Sequence, residues 1–204
     1  MEGRGGARAP DSHRRVIPAL PLGPRNRLAE TILAALHDAR ARRELAKLAG
    51  APEAALATGW LTGEERSFAG ALTERARRAD AAVTALPLGP AGGPLAVALD
   101  DAAALHDAGL YFEVHELLEG YWRDARGAEK EALQGLIQIA VGYQHLANGN
   151  LRGARALLDE GGARLHGRNL GGLELEPFAR EVAASHGRLD DFDWNLVPRF
   201  PRAR

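Results

Sequence analysis

Apolar residues recur at helical spacing through most of the chain, and clusters of Pro and Gly cut that pattern into segments. Leu28, Ile32, Ala35, Leu36 and Ala39 share one face opposite a charged one, which predicts a helix over about 26–49. Pro52 suits the first turn of a short helix. Thr62-Gly-Glu-Glu65 reads as a capping box opening another, with Phe68, Leu72, Ala79 and Val83 facing inward and an end before Pro87. Pro87-Leu-Gly-Pro-Ala-Gly-Gly-Pro94 cannot be helical and marks a boundary. The expected organisation is a loose arm over 1–25, an N-terminal helical section over 26–86, a linker over 87–96 and a helical domain with a C-terminal tail over 97–204.

Beyond the linker the pattern predicts an Ala-rich helix over 97–107, a turn at Gly109, a helix over 110–124 and a third over 129–147. Gly149 and Asn150 supply a stop and the next N-cap, for a helix running from 151 to about 160 and ending at Gly161-Gly162. Pro177 opens a last helix that ends near Gly187. The tail holds Phe192, Trp194 and Phe200, which are expected to dock it onto the core. The fold class that follows is all-α, a compact bundle of antiparallel helix hairpins with no substantial sheet.

Composition agrees. Aromatics are only 5% of the 204 residues while Ala, Leu and Arg are plentiful, which favours helices packed through small and aliphatic side chains. Lys47 and Lys130 are the only lysines among 26 basic residues, against 27 acidic ones, for a net charge of −1. That balance lacks the basic field of a nucleic-acid binder, so no nucleic acid is expected as a partner. The chain has no cysteine, which removes disulfides, thiolate nucleophiles and Cys-type zinc sites and leaves His and carboxylate as metal donors. Arg4, Arg8, Arg14 and Arg15 stand among Gly and Pro without an apolar core to the segment, so no membrane partner and a cytoplasmic location are expected.

The chemistry concentrates in Tyr111-Phe-Glu-Val-His-Glu-Leu-Leu-Glu-Gly-Tyr-Trp122. His115, Glu119 and Trp122 fall at i, i+4 and i+7, one face of a helix, where an imidazole and a carboxylate can together hold a metal or a proton. The next helix offers Gln134, Gln138, Val141 and His145 in a second stripe, with Gly135 and Gly142 permitting close approach of a neighbour. In an antiparallel hairpin turning near Arg126-Gly127, level residues sum to about 253, so Glu119 faces Gln134 and His115 faces Gln138, while His145 lies roughly 10 Å further along. Glu116 points about 100° away from His115. A third metal donor is therefore sought among His106, His145 and His166. His106, His166 and His186 otherwise read as ordinary surface or loop histidines.

Two functions fit this pattern. One is a metal- or small-ligand-binding domain, with a divalent cation on His115 and Glu119 and with Trp122, Gln134, Gln138 and His145 lining the site. The other is a helical protein–protein interaction module in which the His, Glu and Gln side chains form a buried network that fixes helix register. Helix faces rich in Ala and Leu also make a homodimer an expectation. No complete catalytic set appears, so no residue is assigned as catalytic. His115-Glu-x-x-Glu119 is not the zincin motif, and no phosphate-binding Gly loop follows a strand. Ser12, Ser67 and Ser185, the only serines, lie in no nucleophile elbow.

His115-Glu-Leu-Leu-Glu119-Gly-Tyr-Trp122 fits an HXXXEXXW pattern, continued by Gln134-Gly-Leu-Ile-Gln-Ile-Ala140 and by His145-Leu-Ala-Asn-Gly-Asn150-Leu-Arg-Gly-Ala154. These three blocks resemble the bacterial and archaeal family called domain of unknown function 309, over about 97–165. The resemblance implies a compact helical domain and metal binding by His115 and Glu119, with Trp122 completing the pattern. It implies no established activity and says nothing of residues 1–96.

Overall fold

The computed structural model describes residues 19–202, so most of the expected arm and the last two residues lie outside the described part. Among the described residues the architecture is all-α, with nine α-helices and one two-residue β-hairpin. Helix α1 (Leu22–Ala35) and α2 (Ala39–Gly50) replace the single helix expected over 26–49. The break has a local cause. Asp38 is extended, and its carboxylate accepts the Arg40 amide at 2.7 Å, an N-cap that competes with helix continuation. The corner lets Leu28 and Ile32 on one side and Leu45 and Leu48 on the other reach the same core. Helix α1 also begins earlier than expected, since Pro24 stands in the first turn, where no amide is needed.

Helix α3 spans Pro52–Ala57, and α4 runs from Ala69 to Thr84 after a 3₁₀ turn at Arg66–Phe68. The capping box forms only in half. Glu65 accepts the Thr62 amide at 3.0 Å, but the Thr62 hydroxyl donates to the same carboxylate at 3.1 Å and leaves the helix start to Phe68. Helix α5 (Leu95–Asp107) meets α6 (Tyr111–Asp124) at a corner where Gly109 has φ +72°. There Arg75 of α4 clasps Glu113 of α6 through two hydrogen bonds, 3.1 and 2.7 Å, with Glu113 fully buried.

Helices α6 and α7 (Gly127–Ala147) form a hairpin through a two-residue link, and the Arg126 guanidinium donates to the carbonyls of Arg123, Asp124 and Ala125 to close the end of α6. Helix α8 (Leu151–Leu165) continues straight through Gly161-Gly162, where the sequence reading placed its end. Helix contact explains the difference. A Cβ on Gly161 would stand 2.8 Å from the Gly135 carbonyl oxygen, so Gly161 is where α8 crosses α7 closely, and tertiary packing outweighs the weak helix preference of glycine. Gly135 and Gly142 do allow close approach, and the neighbour is α8.

The strands β1 (Asn169–Leu170) and β2 (Leu173–Glu174) pair antiparallel around Gly171 and Gly172, both at positive φ, ahead of α9 (Glu176–His186). One apolar cluster runs from Leu20 to Phe200 and takes in residues of all nine helices. Phe192 and Phe200 are buried in it, so the tail docks as its aromatics suggest. No helix among the described residues is long and apolar enough to cross a membrane.

Candidate functional site

Helix α6 buries Val114 and Leu118 on one side and turns His115, Glu116 and Glu119 toward the surface. His115 is 27% exposed, between Glu116 at 38% and Glu119 at 32%. The Glu116 Oε1 lies 3.1 Å from Nδ1 of His115, and the Glu119 Oε2 lies 3.7 Å from Nε2. Each side of the imidazole therefore has its own carboxylate. One ligand atom from each of the three residues falls within 4.8 Å of the other two. Arg123, one turn on, donates to the outer oxygen of Glu119 at 3.2 Å.

Glu116 is the third donor that the wheel argument set aside. The backbone angle between neighbours is indeed wide, but a glutamate has three rotatable bonds, enough to swing its carboxylate back beside His115. The histidines considered for that role are engaged elsewhere. His145 Nδ1 accepts the Asn150 amide nitrogen at 2.9 Å, tying α7 to the cap of α8. His166 Nδ1 pairs with Glu176 at 3.0 Å; that contact, after the backbone amide of Gly167, helps hold the Glu176 carboxyl down at about 2.

Gln138 turns to another helix. Gln138 donates to Glu160 of α8 at 2.9 Å, and no hydrogen bond joins Gln134 or Gln138 to His115 or Glu119 among the described residues. The expected His–Glu–Gln network across the α6–α7 seam is thus absent from the described residues, because the Gln138 face of α7 is turned to α8 at the glycine crossing. Trp122 packs half-buried against the core with Lys130 Nζ 4.1 Å above its ring, and its indole nitrogen is buried without an acceptor.

His106 corrects the sequence reading most plainly. It is 1% exposed, not a surface residue, and its ring is surrounded by Tyr111, Tyr143, Phe178 and Phe200 at centroid distances of 5.3–6.0 Å. Its Nδ1 stands 3.6 Å from Asp107, and neither ring nitrogen has a hydrogen-bond partner. Burial pushes its pKa down and keeps it neutral. The signal was present in the chain: Leu99, Ala102, Ala103 and His106 lie at i, i+3, i+4 and i+7, the buried stripe of α5.

The family model described as Domain of unknown function (DUF309) matches residues 99–157. Over that stretch the chain is similar to the DUF309 family. The DUF309 match runs from Leu99 in α5 to Leu157 in α8 and holds the whole His115–Trp122 stripe, while α1 to α4, α9 and the tail lie outside it. No curated protein and no solved structure matches the chain.

Proposed function

We propose that the DUF309 domain of this chain is a cytoplasmic divalent-metal-binding domain, with His115, Glu116 and Glu119 as the protein ligands. The observation that carries the reading is the convergence of one imidazole nitrogen and two carboxylate oxygens within 4.8 Å on successive turns of a single helix. An N,O,O donor set suits zinc, manganese or iron(II), and three protein ligands at partial exposure leave room for water or a small ligand. A carboxylate beside each ring nitrogen keeps both acids next to the imidazole. A cation would have to compete with Arg123, whose pairing with Glu119 is a weak surface contact that yields readily. A bound ion would act as a Lewis acid on whatever fills its open positions.

The test is elemental analysis of untagged protein purified without chelators, followed by calorimetric titration of zinc and manganese into metal-free protein. One equivalent is expected in the wild type, lost in His115→Ala and Glu119→Gln and weakened in Glu116→Gln, with circular dichroism unchanged because all three side chains are partly exposed. Equal metal uptake by wild type and the His115→Ala/Glu119→Gln double variant would place any metal elsewhere and end the proposal.

A further inference from the structure

A cleft of about 660 Å³ opens at the corner between α5 and α6, away from the His115 stripe. It is lined by Arg78 of α4, His106 and Asp107 at the end of α5, Tyr111 at the start of α6, and Trp194 and Arg199 of the tail. Its size lies within the usual range for small-molecule sites.

The charges around it are almost all engaged. Glu74, also on the wall, accepts from Arg77 at 3.1 Å. Asp107 accepts the Phe200 amide at 3.1 Å and the guanidinium groups of Arg202 and Arg199 at 2.9 and 3.3 Å. The next arginine of α4, Arg75, belongs to Glu113. Arg78 differs. Among the described residues it has no ion pair; Nη1 donates to the Ala108 carbonyl at 3.3 Å, and Nε is buried without an acceptor. Burial also lowers its pKa, the mark of a cation short of solvent. Beside it Trp194 stacks on Tyr111, centroids 6.5 Å apart and planes 20° from parallel, which gives the cleft one flat aromatic wall. His106 adds two buried, unpartnered ring nitrogens to the floor.

We propose that this cleft binds a small organic anion with a flat apolar body, its carboxylate received by the Arg78 guanidinium and its ring laid against Trp194. A planar guanidinium donates in parallel to both oxygens of a carboxylate, which supplies the partner Arg78 lacks. The tail forms part of the wall, because the three contacts to Asp107 hold Arg199, Phe200 and Arg202 in place beside Trp194. The proposal does not depend on the metal reading, since none of the three metal ligands lines the cleft.

The experiment is fluorine NMR on the full chain with 4-fluorobenzoate as the probe and 4-fluorobenzamide as its neutral isostere. Saturable binding of the benzoate is expected, with the amide weaker by about tenfold or more, the scale of one charge-assisted hydrogen-bonded pair. Arg78→Met should lose the preference for the anion, Arg78→Lys should keep part of it, Trp194→Ala should weaken both probes, and His115→Ala should change nothing. No binding of the benzoate, equal binding of the two probes, or full benzoate affinity in Arg78→Met would each overturn the proposal. The contrast between the two probes on wild-type protein decides the matter even if an Arg78 variant fails to fold.

Discussion

Gly161→Ala tests whether the α7–α8 crossing is set by the absence of a side chain. A Cβ there would lie 2.8 Å from the Gly135 carbonyl oxygen and 2.8 Å from Ile139 Cγ1, and the first of these is backbone that no rotamer change can move. Ordinary contact distances require the helices to part by roughly 0.5 Å or more, a gap that forfeits about a quarter of each dispersion well along the seam. Overpacking of this kind costs about 1–3 kcal/mol, and alanine returns about 1 kcal/mol through its better helix propensity. The net loss is about 0–2 kcal/mol. For a chain of 204 residues that lowers Tm by up to about 8 °C. Gly120 is the matched control: it lies in α6 with nothing within 4 Å of its would-be Cβ, so Gly120→Ala should raise Tm through propensity alone. Thermal unfolding followed by circular dichroism should show opposite signs for the two variants. If Gly161→Ala stabilises as Gly120→Ala does, the crossing is not sterically set and the reasoning fails.

Two further outcomes follow from buried groups. Burial lowers the pKa of His106 below its ordinary 6.5, so the unfolded chain binds the proton more readily; stability is complete above about pH 6.5 and falls as pH drops toward the folded pKa, by at most about 1.4 kcal/mol per pH unit. The groups facing it do not titrate in that window, because the Arg202 guanidinium and the Phe200 amide donate to Asp107 and help hold it below the carboxylate range against its burial, and burial pushes Tyr111 and Tyr143 up. Denaturant titrations at pH 7 and pH 5 should therefore show a smaller loss in His106→Leu than in wild type, and equal losses would refute the neutral buried imidazole. Glu113→Gln leaves Arg75, only 12% exposed, without its counter-charge and should cost about 3 kcal/mol in urea unfolding, whereas Arg75→Met/Glu113→Leu should regain most of it; a single variant within about 0.5 kcal/mol of wild type would show that the pair does not hold α4 to α6.

The helical class, the segments around Pro and Gly and the His115–Trp122 stripe were all readable from spacing, because an amphipathic helix writes its 3.6-residue period into the order of its residues. The capping signals were readable only in part. Asn150 caps α8 as its position suggests, but Asp38, in the middle of a continuous apolar pattern, breaks a helix that periodicity alone runs through. Glu116 shows the same limit at the candidate metal site, since a helical wheel places Cβ atoms and not the ends of long side chains.

The order of residues by itself determined that most of the chain is helical, which face of each helix is apolar and that His115 and Glu119 share one face, all of them properties of neighbours within a turn or two. Tertiary structure alone decided that α7 turns Gln138 to α8 through Gly135 and Gly161, that Arg75 finds Glu113, that His106 sinks among four aromatic rings, and that the tail meets Arg78 at one cleft. Those pairings join residues far apart in the chain. They depend on helix crossing geometry and on which buried polar groups find partners, quantities that no local period encodes.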